Sequence, residues 1–327
     1  MCVKYKISII ILSLSLILIS CESNEYTVPE ANAEFQNDCI KRSIGPNVIG
    51  LDLEFAYAMA LGYDRGKILT AEVEASIAGE EGTFLEHRTY HTNQGGSDIG
   101  VIIAEPSITT DNITKITFTK DTCAATLRYY YKIPESARGK SVSFTFSSTA
   151  STGESVSYQM GPYQVTKMDM KRDIVLSNDN KCYFSIADME VYDETEISSR
   201  TDKIDLVYLY RSLPGISFNH ALISPDANAE FLQGKVIPSG INNSTLIQKT
   251  YGLRDRHLAR LQFGEYIDDK DFETLNISDA PNYSIDLRAE YGIWTQTADN
   301  KYRAYIYVNS VNNNARTMTI SIKRYPM

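Results

Sequence analysis

Thiols, imidazoles and grouped carboxylates are the side chains through which this sequence could hold a metal or attack a substrate, and their spacing favours neither. His87 and His91 lie four residues apart beside Glu86, a spacing that on a helix puts two imidazoles on one face. The surrounding Arg88-Thr-Tyr-His is strand-like, and on a strand the two rings stand about 13 Å apart, too far for one ion. His220 and His257 are isolated. Asp268, Asp269 and Asp271 offer carboxylates to calcium, but no glycine or further ligand completes an EF-hand-like loop. The same acids suit a helix start, where they meet the amide end of the dipole.

Cys39, Cys123 and Cys182 are far apart, and none sits in a CxxC pair or near a histidine at metal spacing. Neither a zinc site nor a disulfide framework is expected, and buried free thiols are the simpler reading. No nucleophile elbow, phosphate-cradling glycine loop or metalloprotease His-Glu spacing occurs. The expectation is a non-enzyme with no catalytic residue, no metal and no cofactor. Carboxylates paired only in space, as in a glycosidase, would not show at this level.

The hairpin from Asp286 to Asn309 carries the most informative groups. Leu287, Ala289, Tyr291 and Ile293 alternate onto one face, as do Tyr302, Ala304, Ile306 and Val308 after the turn at Thr297–Lys301. The opposite face then holds Trp294, the sole tryptophan, with Arg303, Tyr305 and Tyr307. Left open to solvent, those four residues form a platform that stacks on a sugar ring or holds a peptide. A helix or another domain lying over the same face would instead make them core.

The elements that must position such groups read as strands. Short runs of apolar and polar alternation are separated by Gly, Asn, Asp and Pro, and sustained helical periodicity is rare. Val142, Phe144 and Phe146 share one face of a strand, with serines and a threonine on the other. Asp188–Ser199, the leucines 253, 258 and 261, and Asp268–Leu275 are the expected helical pieces. Charge and β-propensity change over Lys167–Asn180, which places a boundary near 175, give or take about ten residues. The expected fold is all-β, with two sandwich domains at 35–174 and 175–327 and one or two short helices in the second.

At the N-terminus, Lys4 and Lys6 precede an apolar run from Ile7 to Ile19 that is shorter than a spanning helix requires. The run ends in Leu18-Ile19-Ser20-Cys21, which resembles the lipobox cut by lipoprotein signal peptidase. That resemblance implies a signal peptide at 1–20 and acylation of Cys21, and residues 21–34, polar and acidic, suit a flexible tether. Acidic residues behind the cysteine also resemble the surface-export signal of Bacteroidota-type lipoproteins, implying an outer-membrane address at the cell surface. Cleavage leaves 30 Lys+Arg against 41 Asp+Glu, a formal charge near −11, and such a body has no electrostatic reason to seek nucleic acid or anionic lipid.

Two further resemblances bear on the body. Residues 127–166, through Leu127–Ile133, the Pro134–Gly139 turn and Ser141–Ser147, are similar to bacterial immunoglobulin-like domains of surface proteins. Across most of the mature chain, Ile204-Asp-Leu-Val-Tyr, Gly252–Leu261 and the closing Ile306–Val311 and Ile320–Tyr325 segments resemble a Bacteroidota-type lipoprotein family of unknown function. Such company implies nutrient capture or surface assembly, with the membrane, a polysaccharide or another envelope protein as partner. Replacing Cys21 with Ala is expected to abolish metabolic acyl labelling and release the chain from membranes; labelling retained by the variant rules out the lipoprotein assignment.

Overall fold

The computed structural model describes residues 34–232 and 234–327. The expected signal peptide, the cysteine expected to carry the lipid, Cys21, and the expected tether up to residue 33 lie outside the described residues. The expected class holds: two antiparallel β-sandwiches follow one another, with two short α-helices in the second.

In the first sandwich one sheet orders Gln36–Lys41, Asp52–Ala60, Ala124–Lys132 and Phe84–Leu85. The facing sheet orders Ser155–Gln164, Ser141–Ala150, Ile68–Ala75, Ile113–Thr117 and Ile108–Thr110. Period-two alternation builds the core between them. Val142, Phe144 and Phe146 point inward and are buried, as expected from their spacing, opposite Phe55, Tyr57 and Met59. The rings of Phe55, Phe144 and Phe146 interlock at 4.8 and 5.3 Å, in tilted rather than face-to-face pairs. A separate two-stranded ribbon, Arg88–Thr92 with Asp98–Ile102, stands off this sandwich.

The second sandwich sets Asp169–Ser177, Thr317–Pro326, Tyr302–Asn312, Gly292–Gln296 and Leu246–Thr250 against Glu190–Tyr192, Tyr183–Ser185, Leu206–Leu213, Ile216–Ile223 and Tyr283–Leu287. Asp169–Ser177 pairs with the last strand of the chain. The change of sandwich therefore falls between Val165, in the first core, and Met168, at the early edge of the span of about ten residues around 175 that the sequence indicated.

Three local expectations change. Asp188–Ser199 is not a helix but a short strand, Glu190–Tyr192, and a single 3-10 turn, Ile197–Ser199. The Asp193 carboxylate accepts from the backbone N–H groups of Thr195 and Glu196, and this local bonding competes with a helix. Around Leu253, Leu258 and Leu261 there is one helical turn, Arg256–Ala259, capped by Asp255 and stopped by Arg260 at φ +54°; Leu261 is exposed. Asp286–Asn309 is not one hairpin: Leu287 ends a strand of one sheet, the chain crosses with Asp286 and Glu290 at positive φ, and Gly292 begins a strand of the other. The true hairpin joins Gly292–Gln296 to Tyr302–Asn312, pairing Ile293 with Ile306 and Trp294 with Tyr305. Ala289 is exposed, while Ile293, Ala304, Ile306 and Val308 do enter the core. The acid-rich start at Asp268 does become a helix, Asp269–Thr274, with a reciprocal capping box between Asp268 and Asp271.

A third apolar cluster lies outside both sandwich cores and joins them. Val48 of the first sandwich meets Met168, Leu258, Ile267, Phe272, Tyr305, Tyr307 and Tyr325 of the second. At its centre Lys323, with no exposed surface, donates to the Asp255 carboxylate at 2.6 Å and to the Ile267 carbonyl at 2.7 Å. Removing one partner of a fully buried pair costs about 3–5 kcal/mol, because the other charge stays behind unpaired. Lys323→Met is expected to lower the unfolding free energy by about that amount in urea titrations, and Lys323→Met with Asp255→Asn to lose less. A loss below about 0.5 kcal/mol for the single variant refutes this role for the pair.

Candidate functional site

The structure brings the four expected binding residues together, but beneath a roof. Tyr305 and Tyr307 are buried, and Trp294 is half-buried with its ring 5.4 Å from Phe272 and 4.7 Å from Tyr305. The Tyr305 hydroxyl donates to the Leu253 carbonyl, and the Arg303 guanidinium donates to the Phe272 carbonyl and to Gln296. These contacts of the expected platform go to the 251–275 segment or to the hairpin itself. The four residues hold a cover in place and do not form an open stacking surface.

The remaining groups singled out by type are equally engaged. Asp269 accepts from the backbone N–H groups of Lys167 and Met168, tying the helix to the chain between the sandwiches. His220 is buried between the Tyr208 hydroxyl at 2.7 Å and the Asn313 amide oxygen at 2.8 Å. Cys39, Cys123 and Cys182 are free thiols, and burial pushes Cys39 up to about 12. Among the described residues no three His, Cys, Asp or Glu converge as metal ligands.

One cavity, of about 280 Å³ in the second sandwich, is lined by Asp188, Asp202, Asp205 and Asp299 with Lys203 and Lys301. Burial, with the Asp299 and Asp188 charges nearby, pushes Asp205 up to about 7, while hydrogen bonds from Thr297 and Lys301 outweigh burial and hold Asp299 low. Both carboxylates serve the backbone. Asp205 accepts from the Ile186 N–H at 2.7 Å, and Asp299 closes the 297–301 turn through the Lys301 N–H.

A larger groove, of about 530 Å³, lies on the outer face of the first sandwich. Its floor follows from the run Phe55-Ala-Tyr-Ala-Met-Ala60: large residues point inward, so Ala58 and Ala60 point outward, opposite Asp38 and Gln36 on one side and Thr126 and Ala124 on the other. With only methyls and a threonine on the two central strands here, the sheet face is left hollow between its rims. Gln36, Asn37 and Asp38 form one rim, and Thr89, Tyr90 and His91 of the ribbon form the other.

The ribbon rim is tied to the sheet by several contacts. The Thr89 hydroxyl oxygen accepts from the Thr126 N–H at 3.0 Å. Arg128 lies 3.9 Å from the Tyr90 ring centre and pairs with Asp98 on the neighbouring ribbon strand. Buried Glu86 accepts two hydrogen bonds of 2.9 Å from Arg88, which hold its carboxyl below the usual range, and a longer one of 3.4 Å from the Tyr90 hydroxyl. Across the ribbon Tyr90 faces Gly100, where a Cβ would come within 3.2 Å of the ring. Further along, half-buried Tyr130 of the same sheet stacks on partly exposed Phe84, ring centres 4.8 Å apart. The alternation of large residues with alanine was the readable trace of this groove; the strand-like run at Arg88–His91 showed one strand of the ribbon that walls it but not where the ribbon folds back.

Comparison with known proteins bears on the whole chain. A crystal structure of a DUF4466 family protein from Parabacteroides merdae ATCC 43184 shares 44% identity and covers 91% of this chain and 100% of its own, with a TM-score of 0.86. The chain belongs to the DUF4466 family. The model of that domain of unknown function matches residues 32–165, and a second, the domain of unknown function DUF8576, matches 166–327. For this DUF4466 protein the two models meet where the first sandwich passes to the second. Two pilins are far more distant: the major pilin GBS80 of Streptococcus agalactiae, a C-terminal fragment, at 13% identity, 63% and 89% coverage and a TM-score of 0.30, and a variant of BcpA, the major pilin subunit of Bacillus cereus, at 11%, 46% and 46%, and 0.27. Likeness that slight carries neither fold nor function. Among curated proteins none matches.

Asp205 yields a prediction with a defined sign. Its folded-state value is raised, so it favours the fold at low pH and loses that contribution as pH rises from the ordinary carboxylate range through about 7. Asp205→Asn removes the titration. The unfolding free energy of the variant minus that of the parent is therefore expected to increase from pH 5 to pH 8, the variant becoming relatively more stable, and a difference constant over that range contradicts the burial effect.

Proposed function

We propose that this DUF4466 protein is a lipid-anchored, non-catalytic binding protein of the outer membrane, displayed at the cell surface through acylated Cys21, and that it captures polysaccharide in the groove of its first sandwich. The observation that supports this is the hollow alanine floor beside a fixed tyrosine. Ligand pockets are concave, largely apolar and preformed, with a few placed polar groups, and a volume of about 530 Å³ accommodates two or three sugar rings. We read the first sandwich as an immunoglobulin-like module that presents this groove away from the junction.

A structural or adhesive role is the second reading, and one feature favours it. The ribbon strand Asp98–Ile102 is exposed throughout, and its Ile99, Val101 and Ile102 keep 42%, 45% and 57% of their surface in solvent. An exposed apolar edge of this kind suits pairing with another envelope protein.

Binding of the soluble body without the lipid cysteine, residues 22–327, to a polysaccharide panel separates the two. Tyr90→Ala is expected to weaken the best ligand about tenfold, the equivalent of about 1.4 kcal/mol, while Trp294→Ala leaves affinity unchanged except through stability. Binding abolished by Trp294→Ala in a folded protein moves the site away from the groove, and a stable protein complex with no sugar affinity favours adhesion.

A further inference from the structure

Resting on the groove assignment above, we infer that the groove accepts uncharged sugar rings and rejects acidic ones, with Tyr90 as the stacking wall and Asp38 as the acceptor for ring hydroxyls. Of the residues lining it, Asp38 is the one carboxylate, and none is a lysine or arginine. The two guanidiniums that approach from behind the ribbon rim are already committed. Arg128 is paired with Asp98 and spread against Tyr90, and Arg88 is held by both oxygens of Glu86.

A uronate or sulfate entering the groove therefore finds no unpaired cation and meets the Asp38 carboxylate. Desolvating such an anion without a partner is costly, whereas sugar hydroxyls can donate to Asp38 and exchange hydrogen bonds with Gln36 and Thr126. Asp38 is exposed at the rim; one of its oxygens accepts from the Cys39 N–H at 2.8 Å and the Tyr158 hydroxyl lies beside the carboxylate, which leaves further lone pairs for ring hydroxyls. His91, also exposed on the opposite rim, is the remaining titratable group lining the groove.

Tyr90 is preorganised by contacts that a ligand would not disturb. Arg128 stacks on its ring, the hydroxyl reaches Glu86, and Gly100 gives it room across the ribbon. Gly100 and Arg128 are accordingly positioning residues: neither lines the groove, yet each decides where the stacking wall stands. A binder built this way loses little side-chain entropy on meeting a ring.

The test is isothermal titration of the same soluble body at pH 8 with neutral gluco-, manno- and galacto-configured hexasaccharides, a hexagalacturonate and a sulfated hexasaccharide. At least one neutral oligosaccharide is expected to bind, with both acidic ones at least tenfold weaker. Tyr90→Ala and Gly100→Val should each weaken neutral binding about tenfold or more, while Asp38→Lys should narrow or reverse the preference. Circular dichroism of each variant separates loss of the rim from loss of the fold. Acidic oligosaccharides that bind as tightly as neutral ones, in a Tyr90-dependent way, overturn the selectivity and leave the groove standing. No binding by any sugar, or binding indifferent to Tyr90→Ala and Gly100→Val, overturns both.

Discussion

Lys323 lies on the last strand of the protein with its ammonium sealed from solvent, and the arrangement of the second sandwich follows from how that charge is met. Burial alone pushes the lysine below its usual range, and the Asp255 carboxylate beside it opposes that shift. Asp255 does more than neutralise. Its two oxygens also accept from the Leu258 and Ile267 N–H groups, so one carboxylate caps the 256–259 turn and gathers the chain on both sides of it onto the sheet. The neighbouring His257 is driven down to about 4 by burial and by the Lys323 charge, so near neutrality this cluster holds an uncharged imidazole beside its cations.

Once fastened, the 251–275 segment does two things. It covers Trp294, Tyr305 and Tyr307, and it carries Tyr266 against Gly45 and Asp269 against the backbone at Lys167 and Met168. At Gly45, φ is +85° and a Cβ would fall 2.6 Å from the Tyr266 ring, so only glycine permits that approach. The contacts between sandwiches thus mix a shared apolar cluster with carboxylate caps and a close backbone approach. A joint of this kind resists bending more than an apolar patch alone, because its hydrogen bonds have fixed directions.

The groove owes nothing to that joint. It arises from the outward half of one alternating strand and from a ribbon that leaves the sheet at Phe84–Leu85 and is pinned back by Thr89 and Arg128. The buried charge pair and the groove are therefore housed in different sandwiches. A buried pair and its cover hold the second together, while the first leaves an exposed hollow that small side chains keep empty.

Alternation is a property of adjacent residues, and what depended on it was legible: the all-β class, the inward faces of Ser141–Ala150 and of Tyr302–Asn312, and the capped start at Asp268. The sequence also bounds the chemistry, since its histidines and cysteines are too scattered for a ligand set. Whether the outward face of Gly292–Gln296 and Tyr302–Asn312 met water was decided elsewhere, by a polar-looking segment some thirty residues upstream and a lysine at the far end of the chain. A local pattern states which way a side chain points but not what lies opposite it. Burial is a sum over residues distant in sequence, and only the folded chain determined that Tyr305 would be roofed over and Ala60 left bare.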